Sequence, residues 1–253
     1  MAETLLKVRR LSKKFGDNVV LQDVSFDLTE GEILGLMGPS GVGKSVLLKL
    51  IIGLTRADEG EIWFHGKDLM RQPERELSRI RTKIGYVFQN GALFDSLTVE
   101  ENLSYPLQRH SSMSEEDIRW EVNRRLKIFG LDGKNALYPD EISGGMRKRA
   151  GMLRATMLSP RLVLFDEPTS GLDPINVENF ILQIGKFRSQ IGHGGIFVAH
   201  DPAAVMALCE RVAILWEGRL RFVNVSEVAK STDPLVKSFF RLQYSKEIHG
   251  QAS

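Results

Sequence analysis

The stretch best suited to chemistry is Gly38-Pro39-Ser40-Gly41-Val42-Gly43-Lys44-Ser45, with the spacing G-x-x-x-x-G-K-[ST]. Glycines let successive backbone N–H groups turn inward around phosphate oxygens. A helix opening near Lys44 presents about half a positive charge at its first turn. Lys44 brings a full charge toward the β- and γ-phosphates of a nucleotide, and the Ser45 hydroxyl is a hard oxygen ligand for Mg²⁺. This pattern predicts binding of a nucleoside triphosphate with its magnesium ion.

Two further groupings fit that chemistry. Arg161-Leu-Val-Leu-Phe-Asp166-Glu167 is an apolar run that ends in two carboxylates. Asp166 is expected to engage Mg²⁺ through water. Glu167, turning at the strand exit, would orient and activate a water that attacks the γ-phosphate. Ile142-Ser143-Gly144-Gly145-Met146 precedes a helix that begins Arg147-Lys148-Arg149, with Ser143 twenty-three residues upstream of Asp166. Ser143 is a helix N-cap by type, and a Ser-Gly-Gly helix start is a second place for an anion.

The elements that must hold these residues follow from periodicity. Residues 5–11 and 19–28 alternate, with Val20, Val24, Phe26 and Leu28 on one expected strand face, as in antiparallel half-exposed strands. Residues 32–37 form a short apolar run expected of a strand buried on both faces. It stops at the glycine loop. A helix with Val46, Leu47, Leu50 and Ile51 on one side follows. More buried strands are predicted at 84–88, 161–165, 195–199 and 211–216. Helices are predicted at 73–82, 115–129, 144–158, 174–190 and 202–209. Strands alternating with helices predict a layered α/β architecture. Residues 95–158 read as an inserted helical lobe. From Ser226 onward the chain is polar with one amphipathic stretch. There Leu235, Val236, Phe239, Phe240 and Leu242 either cover a partner or fold back on the body.

Composition narrows the function. The 253 residues are 42% hydrophobic and 26% charged, which suits a folded soluble protein. With 34 Lys plus Arg against 32 Asp plus Glu, the net charge of +2 gives no case for nucleic-acid binding. The single cysteine, Cys209, rules out an internal disulfide framework and a Cys-rich zinc site. No run of uncharged apolar residues is long enough for a membrane span, and residues 1–10 lack a signal-like apolar core. A membrane role is therefore expected to come through a partner, and a cytosolic location is the default.

Ser143-Gly144-Gly145, in its place before Asp166, resembles the signature of ABC transporter ATPases, with Met146 where that signature carries glutamine. The resemblance covers about residues 5–225. It implies a P-loop NTPase of ABC type, with a RecA-like core, an antiparallel β subdomain and a helical subdomain at about 95–158. Residues 1–231 would form the nucleotide-binding domain and 232–253 a tail with a subunit contact. The activity implied is ATP hydrolysis coupled to transmembrane transport. Phe15 would stack on adenine, where tyrosine is commoner; a packed core ring is the other reading. Gln89 resembles the glutamine that touches Mg²⁺ or water, Ser170-Gly171-Leu172-Asp173 the D-loop, and His200 the switch histidine at the γ-phosphate. The family closes two copies head-to-tail, so that Ser143, Gly144 and Gly145 of one face ATP bound to the other. His65, His110, His193 and His249 lie in no motif.

Residues 91–107, from Gly91-Ala-Leu-Phe94 through Asn102-Leu-Ser-Tyr105-Pro106-Leu, and residues 232–240 are also similar to the ATPases of Mla-type phospholipid transport. That resemblance implies a homodimer on the cytoplasmic face of a Gram-negative inner membrane. Its partners would be an MlaE-type permease, an MlaD-type MCE protein and an MlaB-type STAS protein. The cargo would be phospholipid moved between inner and outer membranes, which maintains outer-membrane lipid asymmetry. The segment after Gln89 would dock a coupling helix or else pack within the lobe. An ATPase for another cargo, such as an amino acid, shares every nucleotide residue. A soluble, non-transport ABC protein is the remaining alternative.

Overall fold

The computed structural model describes residues 3–191 and 194–240. The chain forms two compact units, Met1–Arg71 with Ile196–Ser253, and Gln72–Gly195.

The first unit opens with two long antiparallel strands, β1 (Thr4–Phe15) and β2 (Asn18–Thr29). Both carry a bulge, at which Arg10 (φ 46°) and Asp23 (φ 52°) are left-handed. Two serines satisfy the displaced amides: Arg10 N donates to Ser25 Oγ (2.8 Å) and Asp23 N to Ser12 Oγ (3.2 Å). The bulge shifts the side-chain phase. Val24, Phe26 and Leu28 are buried as expected, but Leu21 joins them in place of Val20, which is half-buried.

β3 (Ile33–Met37) is buried at all five positions, which fits a strand covered on both faces. After the glycine loop comes α1 (Lys44–Ile51), which buries Leu47, Leu48, Leu50 and Ile51; Val46, expected on that side, is half-buried. β4 (Glu59–Phe64) and β5 (Lys67–Asp68) complete an antiparallel sheet in the order β2-β1-β4-β5.

The second unit contains α2 (Glu74–Arg81), β6 (Ile84–Val87), α3 (Val99–His110), α4 (Glu115–Ile128), α5 (Gly144–Thr156), β7 (Leu162–Asp166) and α6 (Pro174–Ile191). β6 and β7 run parallel, with Ile84 opposite Leu162 and Val87 opposite Phe165. Between 95 and 158 the described regular elements are all helical. Leu103 of α3, Val122 of α4 and Leu153 of α5 are fully buried among them. Each helix begins on a hydroxyl cap: Thr98 with Glu101 in a capping box, Ser114, and Ser143.

β8 (Gly194–Val198) returns the chain to the first unit, where α7 (Pro202–Leu208), β9 (Arg211–Trp216), β10 (Arg219–Asn224) and α8 (Pro234–Phe240) follow. The strand order in this unit is β10-β9-β3-β8, with β3 and β9 parallel. Glu217 (φ 48°) and Gly218 (φ 75°) make the tight turn between β9 and β10. α8 buries Val236 and Phe240, and the Phe239 ring meets Trp216 edge-on at 6.3 Å. The amphipathic stretch thus folds back on its own unit. Leu242, His193 and His249 lie outside the described residues.

Candidate nucleotide-binding site

The phosphate loop lies in the first unit, between β3 and α1. Its backbone needs glycine at two places for two reasons each. Gly38 (φ 152°) and Gly43 (φ 114°) have positive φ, which L side chains rarely adopt. A Cβ on Gly38 would come within 2.5 Å of Leu215 O, and one on Gly43 within 2.5 Å of Val20 Cγ1. Pro39, Ser40 and Gly41 are exposed at the tip and Val42 is half-buried. Gly43 is the N-cap of α1, so the first amides of that helix open onto the loop. Lys44 is 4% exposed, and its ammonium donates to Gly38 O (3.0 Å) and Pro39 O (2.9 Å). Ser45, next to it, is half-buried.

Phe15 ends β1 and is 52% exposed, with Lys13 Nζ 5.1 Å from the ring centre. The ring is not core packing and is open to stacking. His200 is exposed just beyond β8, where Asp201 caps α7 by accepting from Ala203 N (3.0 Å).

The second unit holds the remaining residues. Asp166 ends β7 and accepts a hydrogen bond from the Tyr86 hydroxyl (2.8 Å). Burial, and then that carboxylate, push the Tyr86 phenol well above its ordinary pKa, so it stays a donor. Glu167 follows with φ 50°, a left-handed conformation that costs a non-glycine residue about 1 kcal/mol or more. The chain then turns, with Ser170 N donating to Glu167 O (3.1 Å). Gln89, exposed after β6, donates from Nε2 to Ser170 Oγ (3.0 Å). Asp173 accepts from the Asn176 side chain and backbone, and these bonds hold its carboxyl below the usual range.

Ser143 and Gly144 are exposed at the start of α5, and Ser143 Oγ accepts from Met146 N (3.3 Å). The bond uses the backbone of Met146, so the cap is indifferent to the side chain there. A Cβ on Gly145 would lie 3.6 Å from Asn176 Oδ1, so this glycine faces the first turn of α6.

Within the second unit, Gln89 and, through Lys148, the Ser143 helix are hydrogen-bonded to the turn that follows Glu167, and Asp166 and Asp173 flank that turn in sequence. The loop, Phe15 and His200 belong to the first unit. Ser45 Oγ, the Asp166 carboxylate and the Gln89 amide are hard oxygen donors of the kind Mg²⁺ takes. Among the described residues no cluster of three His, Cys, Asp or Glu forms a cation cage.

Three contributing residues were not foreseen. Tyr86 is hidden in an apolar strand. Lys148 sits in a run of three basic residues that offers no hint which one reaches the carbonyls of Pro168 and Ser170. Asn102 is 0% exposed; its Nδ2 donates to the carbonyls of Phe94, Leu97 and Thr98 (3.0 Å each) and its Oδ1 accepts from Phe94 N (2.8 Å). It fixes the loop that presents Phe94. Beside that loop, a cavity of about 280 Å³ is lined by Ile84, Tyr86, Phe88, Ala92, Pro106 and Arg154. No described helix is long and apolar enough to cross a membrane.

A glycine-lined phosphate loop between a buried strand and a helix, within an α/β framework, defines a P-loop nucleotide-binding protein. The family described as ABC transporter matches residues 21–170. A Mycobacterium leprae protein named probable ribonucleotide transport ATP-binding protein mkl is 39% identical over 92% of this chain. The chain spans 68% of that relative's length and 66% of its Mycobacterium tuberculosis counterpart's, about two thirds. The intermembrane phospholipid transport system ATP-binding protein MlaF of Haemophilus influenzae is 36% identical, over 95% of this chain and 92% of its own. A solved dimeric ATP-binding cassette, MJ0796 with ADP and phosphate, superposes with a TM-score of 0.80 at 31% identity, covering 87% of this chain and 99% of that one. The chain belongs to the ABC transporter family as an ATP-binding subunit, a family of ATP hydrolases.

Proposed function

We propose that this subunit powers phospholipid transport between the inner and outer membranes and so maintains outer-membrane lipid asymmetry. The observation that carries this reading is the match to MlaF, which runs nearly end to end on both chains. The chain then acts as a homodimer on the cytoplasmic face of the inner membrane, with an MlaE-type permease, an MlaD-type MCE protein and an MlaB-type STAS protein. The dimeric cassette with ADP and phosphate supports the pairing. The cavity beside Phe94, with the exposed rings of Phe94 and Tyr105, is a groove for the permease.

Each residue has a task in hydrolysis. Phe15 stacks on adenine. Backbone amides of residues 38–45 hold the phosphates, and Lys44 leaves its loop carbonyls for the β- and γ-phosphates. Ser45, Gln89 and Asp166 hold Mg²⁺, which when bound neutralises charge on the phosphate oxygens. Glu167 takes the proton of the attacking water as its oxygen bonds to the γ-phosphorus and the bond to ADP breaks. His200 hydrogen-bonds the γ-phosphate. Ser143, Gly144 and Gly145 close on ATP held by the second copy, next to Asp173. Two positive helix ends that would repel each other are joined by the triphosphate, so hydrolysis releases the pair.

The test is purification from membranes, with identification of co-purifying chains and bound lipid, then reconstitution. ATP-dependent phospholipid transfer in a complex containing an MCE protein supports the reading. The name of the mycobacterial relative favours a second reading, transport of another cargo. Hydrolysis stimulated by a soluble solute, with no MCE partner, would establish that one instead.

A further inference from the structure

Glu167 depends on its backbone. Its φ of 50° is a conformation that non-glycine residues keep only where the surroundings enforce it. The turn that follows is gripped from outside by Lys148, on the first turns of α5. The Lys148 ammonium donates to Pro168 O (3.0 Å) and to Ser170 O in a very short contact. Pro168 and Thr169 are buried, and Gln89 holds Ser170 from another direction. Burial also pulls the Lys148 pKa below its ordinary value, so placing a cation here has a cost. The neighbouring Arg149 does something else: it donates to Phe129 O (2.9 Å).

We infer that Lys148 is a positioning residue for hydrolysis, which sets the Glu167 carboxylate by clamping two carbonyls, of Pro168 and Ser170, in the turn that follows it. The inference rests on the reading of Glu167 as the base. It adds that the helix opened by Ser143 is fastened to the loop that carries that base. A displacement of α5 therefore reaches Pro168 and Ser170 through one side chain. Nucleotide affinity belongs mainly to residues 38–45, in the other unit, and should be unaffected. An error of about 1 Å in a reacting group lowers a rate by up to roughly 100-fold.

The experiment measures kcat, KM and ATP affinity for the full chain and for Lys148→Met and Lys148→Arg. Methionine keeps the volume and removes the donors; arginine keeps a cation with several donors. Lys148→Met is expected to lose about 10- to 100-fold in kcat, with ATP affinity within about threefold of wild type. Lys148→Arg should recover most of the rate. A Lys148→Met kcat within twofold of wild type overturns the inference, as does a parallel loss of ATP affinity or an arginine variant as slow as methionine. If Lys148→Met does not fold, Lys148→Gln, with a shorter donor, takes its place; a several-fold loss of kcat is expected and an unchanged kcat is refuting. Glu167→Gln run alongside separates the two ideas: wild-type turnover in that variant removes the base itself, whatever Lys148 does.

Discussion

Asn102→Ala is the most exacting test of how the second unit is built. The substitution deletes a fully buried amide that makes four hydrogen bonds to residues 94–98. Its two N–H groups serve three carbonyls, so the donated bonds are shared and weaker than isolated ones. Taking about 1 kcal/mol net for each good bond, and adding the penalty for a partly buried Phe94 N–H left without its acceptor, gives about 3–4 kcal/mol. For a protein of this size each kcal/mol moves Tm by about 2–4 °C, so a drop of roughly 6–16 °C is expected. Calorimetry reads the shift, and hydrogen exchange of a peptide covering residues 90–100 reads its location. The Phe94 amide should lose protection while the amides of residues 38–45 keep theirs. A drop under about 2 °C with Phe94 still protected would refute the assignment of Asn102 as the fastener of this loop.

The other predictions concern the nucleotide and the tail. Lys44→Ala should reduce turnover about 100-fold or more, since a full charge at the transferred phosphate is lost; near-normal turnover would remove Lys44 from the site. Glu167→Gln should bind ATP as wild type, hydrolyse it roughly 100- to 1,000-fold more slowly, and accumulate dimers in gel filtration with ATP; dimers absent at saturating ATP would contradict head-to-tail closure. Deleting residues 232–253 removes Val236, Phe240 and the Phe239–Trp216 contact. A loss of about 2–5 kcal/mol in stability is expected, with ATP affinity retained and assembly with the permease impaired; unchanged melting and assembly would make α8 dispensable.

Much of this was legible in the sequence, for identifiable reasons. β3, β6, β7 and β9 are short apolar runs bounded by turns, and their patterns were clear. The phosphate loop and the Ser143 helix start carry glycines and caps at fixed spacings, so their local shape follows from residue type. β4 was missed because Glu59, Gly60 and Glu61 mask its apolar end, and β10 because Arg219 and Arg221 alternate with apolar residues at an exposed edge. α3 was not set apart from its lobe, and Pro106 lies within it. The phase of β2 could not be read, since the bulge at Asp23 is a matter of pairing between strands. Long-range partners left no trace either: nothing near Tyr86 or Lys148 in sequence points to residues eighty or twenty positions away.

The lack of room for a side chain at Gly38, beside Leu215, and at Gly43, beside Val20, has a thermodynamic consequence. Both ends of the phosphate cradle run close beside strands β9 and β2, one from each sheet. The mould is cast by the β-framework, so little chain freedom is left to surrender when nucleotide arrives. Calorimetry should then record ATP association with a small ordering penalty, and a bulkier side chain at Val20 should weaken binding from behind the loop without touching the ligand.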